Sequence, residues 1–200
     1  MELILVRHAE PVKIVDADGP ADPHLAPRGV QQAEKLAEYL ASEPIASVWS
    51  SPMQRARETA APLAASLGVD VIVDAELAEW DREATSYVPI EELKATKDER
   101  WVAMTEGNFD TDGVDLDAFR RGVVTAIEHV ITGNPGGSVA VVCHGGVINA
   151  YLAEILGIER PLWFEPKYTS IHRVLASRRG DRSLQTLNET AHLRGTNLLI

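Results

Sequence analysis

The 200-residue chain has one cysteine, Cys143. A single thiol supports neither a disulfide framework nor a four-ligand zinc site built from thiolates. Basic charge is also scarce: 19 Lys and Arg stand against 30 Asp and Glu, giving a formal net charge of -11 and a pI of about 5.0. That balance argues against sequence-independent binding to nucleic acid, which needs a field of cations, and against docking on an anionic membrane. A small anionic ligand stays open, because a few local arginines can dominate inside a pocket. No apolar run reaches the length of a membrane span, and the first residues show no basic stretch leading into a long apolar one. The expectation is a cytoplasmic protein. Internal repeats, low-complexity runs and interdomain linkers are missing too, so residues 1–200 read as one domain with an ordinary globular composition, 45% hydrophobic and 24% charged.

What is present alternates. "ELILVRH" and "EPIASVWSS" (43–51) read as buried strands, and "VDVIVDAEL" (69–77) as a third. Between the first two, Val30, Ala33, Leu36, Ala37 and Leu40 recur at helical spacing after Pro27. The next helix starts with Ser51 as N-cap and Pro52 at the first helical position, and stops at Gly68. A helix over 115–133 leads through "NPGG" into the strand "SVAVVC", and another helix follows His144. The tail alternates about Arg179-Gly180-Asp181 as a hairpin. The pattern implies an α/β fold: a three-layer α/β/α sandwich, its mostly parallel central sheet covered on both faces and closed by a C-terminal antiparallel hairpin. Residues 81–117 stand apart, with eleven acidic and four basic side chains and weak periodicity, in which Tyr87, Trp101 and Phe109 are scattered. They read either as an acidic cap over an active site or as a solvated excursion.

Two strands end in histidine: His8, preceded by Arg7, and His144, followed by Gly145-Gly146. Ligands of open α/β sheets bind beyond the carboxyl ends of strands, so neighbouring strands would bring both imidazoles into one crevice. A third strand end opens the helix that carries Arg55 near its N-terminus, a place suited to anions. Alone, each residue has a bland reading as a structural histidine or a surface arginine. Together, Arg7, His8, Arg55 and His144 suit a phosphoryl group: guanidinium forks hold its oxygens while charge spreads over them.

The same stretches carry a resemblance. "LVRHAE", "SSPMQRARETA" and "VVCHGGVINAYL" resemble the histidine phosphatase superfamily, which includes cofactor-dependent phosphoglycerate mutases and many phosphomonoesterases. Leu25, Gly29, Gln32 and Ala33 match its L-x-x-x-G-x-x-Q-A stretch, and "LNETAHL" is similar to its closing segment. The resemblance implies that His8 is the catalytic nucleophile and becomes a phosphohistidine. Arg7, Arg55 and His144 would bind the phosphoryl group, with no metal and no cofactor. It also implies a glutamate acid in a Leu-x-Glu setting, which points to Glu79, with Glu76, Asp81 and Glu83 as neighbouring alternatives. The mutase-like Trp-Asn continuation after the first histidine is absent, since Glu10 is followed by "PVKI", and "WDRE" replaces the aromatic and glycine pattern after the acid. These departures favour a phosphatase of a small phosphorylated substrate over a mutase. A pseudo-enzyme that binds a phosphorylated ligand without turnover is the reading from another class.

Other features read as decoys. "KIVDADGP" resembles an Asp-x-Asp-Gly nucleophile loop but lacks the apolar strand before it, so it reads as a turn. A cysteine phosphatase loop needs an arginine six residues beyond Cys143, where Asn149 stands; Cys143 reads as a small buried residue. His24 reads as a solvated loop residue, and His129, His172 and His192 have no readable constellation. Arg178, Arg179 and Arg182 read as decoration of the hairpin tip. An exposed segment or sheet edge could form a homodimer.

Overall fold

The structure is a computed structural model that describes residues 1–106 and 113–199; Phe109 and the middle of the acidic segment lie outside the described residues. In chain order the main elements are β1 (Glu2–Arg7), α1 (Pro27–Leu40), β2 (Ile45–Ser50), α2 (Gln54–Leu67) and β3 (Val71–Val73). Two short helices, α3 (Ile90–Thr96) and α4 (Glu99–Glu106), precede α5 (Leu116–Gly133). Then come β4 (Ser138–Cys143), α6 (Gly145–Leu156), β5 (Ile171–Ala176) and β6 (Arg182–Glu189).

The strands form one sheet in the order β3-β2-β4-β1-β5-β6. The pairs β2·β3, β2·β4 and β1·β4 are parallel; β5 is antiparallel to both β1 and β6. Strand β1 shows why the run "LILV" is apolar without alternation. Leu3 and Leu5 pack on the α5–α6 side with Val139 and Val141, while Ile4 and Val6 pack on the α1–α2 side with Ala140 and Val142. A central strand covered on both faces has no polar side to show. The result is the expected three-layer α/β sandwich, and β1 lies beside β4, so both histidine-bearing strand ends are adjacent. No described helix is long and apolar enough to cross a membrane.

Several local expectations are corrected. Helix α2 begins at Gln54 with Met53 as its cap, not at Pro52 with Ser51, because the Ser51 hydroxyl is engaged by His144 Nε2 at 2.7 Å. Val30 faces solvent; the buried stripe of α1 runs through Gly29, Gln32 and Ala33 instead. The third strand is only three residues long, since Asp74 caps a 3-10 turn over Ala75–Leu77. Arg182 does not decorate the hairpin tip but pairs with Glu128 of α5. His24 is exposed, as expected, and bonds Glu58 at 2.8 Å.

Three histidines, His8, His144 and His172, are buried as neutral rings, and His192 is half-buried. His172 is pushed down to about 3 and His192 to about 4, both chiefly by burial, and His8 and His144 lie well below the ordinary range. Because these folded values are depressed, their contribution to stability is present above pH 6.5 and is lost as pH falls, when only the unfolded chain takes up the protons. Each contributes a slope of up to about 1.4 kcal/mol per pH unit in that window. Glu79, whose folded value is raised to about 7, opposes this between pH 7 and its ordinary value of 4.5. Urea denaturation is expected to show a lower midpoint at pH 5.0 than at pH 7.5, and His172→Gln to shallow that dependence.

Candidate active site

The loop leaving β1 is pinned before it carries any chemistry. The His8 amide donates to the Cys143 carbonyl at 2.9 Å, Ala9 N to Thr59 Oγ1 at 2.9 Å, and Glu10 N to Gln32 Oε1 at 2.9 Å. Gln32 in turn donates to the Leu198 carbonyl at 2.7 Å, and Leu25 and Ala33 pack on Ala9. Gly29 is required here because a Cβ would run into the Glu10 carbonyl. The L-x-x-x-G-x-x-Q-A stretch therefore holds the backbone that follows His8.

His8 is 3% exposed, and its ring sits 5.1 Å from that of His144, centroid to centroid. Its Nδ1 lies 2.8 Å from its neighbour Ala9's carbonyl oxygen, an acceptor, so the proton of the neutral ring sits on Nδ1 and Nε2 keeps its lone pair. Burial, then the charges of Arg55 and Arg7, hold His8 well below the usual histidine range.

Arg7 and Arg55 are each braced by an aromatic ring and a carboxylate. The Arg7 guanidinium lies 3.9 Å from the centre of the Tyr168 ring, and Nη1 donates to the Pro166 carbonyl (2.6 Å) and to Glu91 Oε1 (3.1 Å). Tyr168 donates its hydroxyl to the other Glu91 oxygen at 2.9 Å. Arg55 lies 4.6 Å from the centre of the Tyr87 ring and pairs with Asp81 at 3.2 Å. Arg7 Nε, Arg55 Nε and Arg55 Nη1 are buried donors with no partner among the described residues. Buried guanidinium donors are rarely left unpaired, and three of them in one place suit an oxyanion.

His144 is fully buried beside His8 and does not border the cavity. Met53 N donates to Ser51 Oγ at 3.2 Å, so the hydroxyl proton is directed to His144 Nε2. That places the ring proton on Nδ1, a fourth buried donor without a partner among the described residues. Burial, Arg55 and His8 keep this ring neutral as well.

Glu79 reaches the same site from the chain after β3. Its Oε2 accepts from Gly146 N at 2.7 Å and its Oε1 from Trp80 N at 3.2 Å. Burial, and next the Asp81 charge, push it up to about 7, against the two amides and Arg55. A side chain at Gly146 would strike the Glu79 carboxylate and the Trp80 ring, which accounts for the second glycine after His144. Arg7, His8, Arg55 and Glu79 all line one cavity of about 700 Å³.

The structure thus gathers all five residues singled out in the sequence. Of the alternative acids, Asp81 is bound to Arg55, and Glu83 lines the cavity on its exposed side. Sequence reasoning missed Ser51, Tyr87, Glu91 and Tyr168 as braces of the site. For Ser51 a signal existed in its position at the end of β2. For the other three none did, since they act only through contacts across 32 residues or more. Among the described residues, no three His, Cys, Asp or Glu side chains gather as candidate metal ligands.

A sequence model of the histidine phosphatase superfamily (branch 1) matches residues 3–190. The chain belongs to that superfamily. Phosphoserine phosphatase 1 of Hydrogenobacter thermophilus is 30% identical over 203 residues, covering 96% of this chain and 94% of that protein. Phosphoglycerate mutase-like protein 4 of Arabidopsis thaliana is 29% identical over 207 residues, with 99% and 89% covered. A solved phosphoserine phosphatase mutant of Entamoeba histolytica, in complex with phosphoserine, shares the fold with a TM-score of 0.76 at 24% identity, covering 96% of this chain and 98% of that one. In this histidine phosphatase, inorganic phosphate is expected to bind the native protein in calorimetry. Arg55→Lys, which keeps the charge but loses the fork, should weaken it by about 10- to 100-fold.

Proposed function

We propose that the protein is a metal-independent phosphomonoesterase of small phosphorylated metabolites, acting through a phosphohistidine on His8. One observation carries the reading: an imidazole nitrogen with a free lone pair and a carboxyl that titrates near pH 7 face the same cavity as two buried arginines. The phosphatase names of its relatives support it.

In the first step the Nε2 lone pair of His8 attacks phosphorus. The bond to the leaving oxygen breaks, its electron pair stays on that oxygen, and the Glu79 carboxyl supplies the proton. Arg7 and Arg55 take the charge that spreads over the three remaining oxygens. In the second step the Glu79 carboxylate accepts a proton from water, whose oxygen attacks phosphorus; the P–N bond breaks and its electron pair returns to Nε2. Inorganic phosphate leaves. Segment 81–117 acts as a cap, since its Asp81 and Glu91 pair with the two arginines and its helices α3 and α4 supply cavity wall.

Hydrolysis of p-nitrophenyl phosphate is expected to survive EDTA in the native protein and to vanish in His8→Ala between pH 5 and 8. Activity unchanged by that substitution would refute the reading. Turnover of an alkyl phosphate should decline above about pH 7, as Glu79 loses the proton that it must donate. Glu79→Gln should lower alkyl phosphate turnover by about 10²- to 10⁴-fold. With p-nitrophenyl phosphate, whose leaving group needs little help, the same variant should release a burst of nitrophenolate and accumulate phosphohistidine, visible by phosphorus NMR.

A further inference from the structure

The cavity is far larger than a phosphoryl group needs. At about 700 Å³ it falls in the range that encloses a drug-sized ligand. Its wall away from the arginines is apolar and aromatic: Trp80, Trp101, Trp163, Phe164, Leu93 and Met104. The chain has four tryptophans, and three of them stand on this one surface. Aromatic side chains give much contact area for little loss of conformational freedom, and they gather where an apolar body is to be held.

Part of this wall is rigidly built. Asn149 of α6, fully buried, accepts from Trp163 N at 3.0 Å and Phe164 N at 3.3 Å, and donates to the Phe164 carbonyl at 3.1 Å. The two rings pack at 4.4 Å between centroids. Asn149 lies on the helix that starts at His144, so the aromatic pair is fixed relative to the reacting end. The opposite side comes from α3 and α4, through Leu93, Trp101 and Met104.

The charged side chains on the wall beyond the reacting end each have a protein partner. Arg100 is held by Asp98 through two bonds of 2.9 Å, and Arg160 donates to the Thr105 carbonyl at 2.5 Å. Glu83 and Glu165 also border the cavity. A substrate whose leaving group carries a carboxylate would have to compete with Asp98 for Arg100 and would meet Glu83, whereas an apolar body meets the aromatic wall without displacing any of these contacts.

We infer that the site selects monoesters with a bulky, uncharged apolar or aromatic leaving group over small charged ones such as phosphoserine. This rests on the phosphatase reading for the reaction, but recognition can be measured apart from turnover with non-hydrolysable phosphonates. Calorimetry on the native protein would compare 3-phenylpropylphosphonate, propylphosphonate and 2-amino-4-phosphonobutanoate. The phenyl compound is expected to bind at least about tenfold more tightly than the propyl one, because a ring is buried. The amino acid phosphonate should bind more weakly than both. Trp101→Ala and, separately, Met104→Ala should narrow the phenyl-to-propyl ratio. Equal or tighter binding of the amino acid phosphonate, a ratio unmoved in both variants, or no binding of any of the three would overturn the inference. The phosphatase reading is judged separately, by the fate of p-nitrophenyl phosphate in His8→Ala.

Discussion

The parallel pairing of β1 with β4 is the constraint on which the site depends. With Arg7 opposite Cys143 in the register, the next residue on each strand is a histidine, and the two rings come to 5.1 Å. A slip of one residue would turn Leu3 and Leu5 to the other layer and carry His8 away from His144. Packing on both faces forbids that slip, so the core that stabilises the sheet also sets the position of the chemistry. The His8 amide, bonded to the Cys143 carbonyl, continues the ladder one step past the last strand residue.

Electrostatics then assigns different jobs to similar groups. Burial, reinforced by the two arginines, keeps both imidazoles neutral, and the hydrogen-bond partner of each ring decides which nitrogen holds the proton. His8 is left with a free lone pair at Nε2, His144 with a free donor at Nδ1. Glu79 sits near Arg55 yet holds its proton to about pH 7, because burial and Asp81 outweigh the opposing contacts. Nucleophile, donor and acid thus differ by surroundings rather than by residue type.

The acidic segment has a double relation to the site. Asp81 and Glu91 balance the arginines, which would otherwise be costly to bury without a ligand. Its helices also bring apolar side chains into the cavity wall, in a stretch whose composition gave little sign of it.

The layers and the reacting ends can be read from the residues alone. "LILV" and "VAVV" are apolar throughout because both faces are covered, and each strand is followed by a histidine at its carboxyl end, where the site lies. Arg7, His8, Arg55, Glu79 and His144 were all legible, partly through spacing and partly through resemblance. Packing between distant segments is what gives Ser51 to His144 instead of to the cap of α2, and sets Tyr87, Glu91 and Tyr168 as braces of the arginines. It also decided that three tryptophans share one wall. These are contacts between distant segments, and local periodicity records which face of an element is buried, not which partner it meets there.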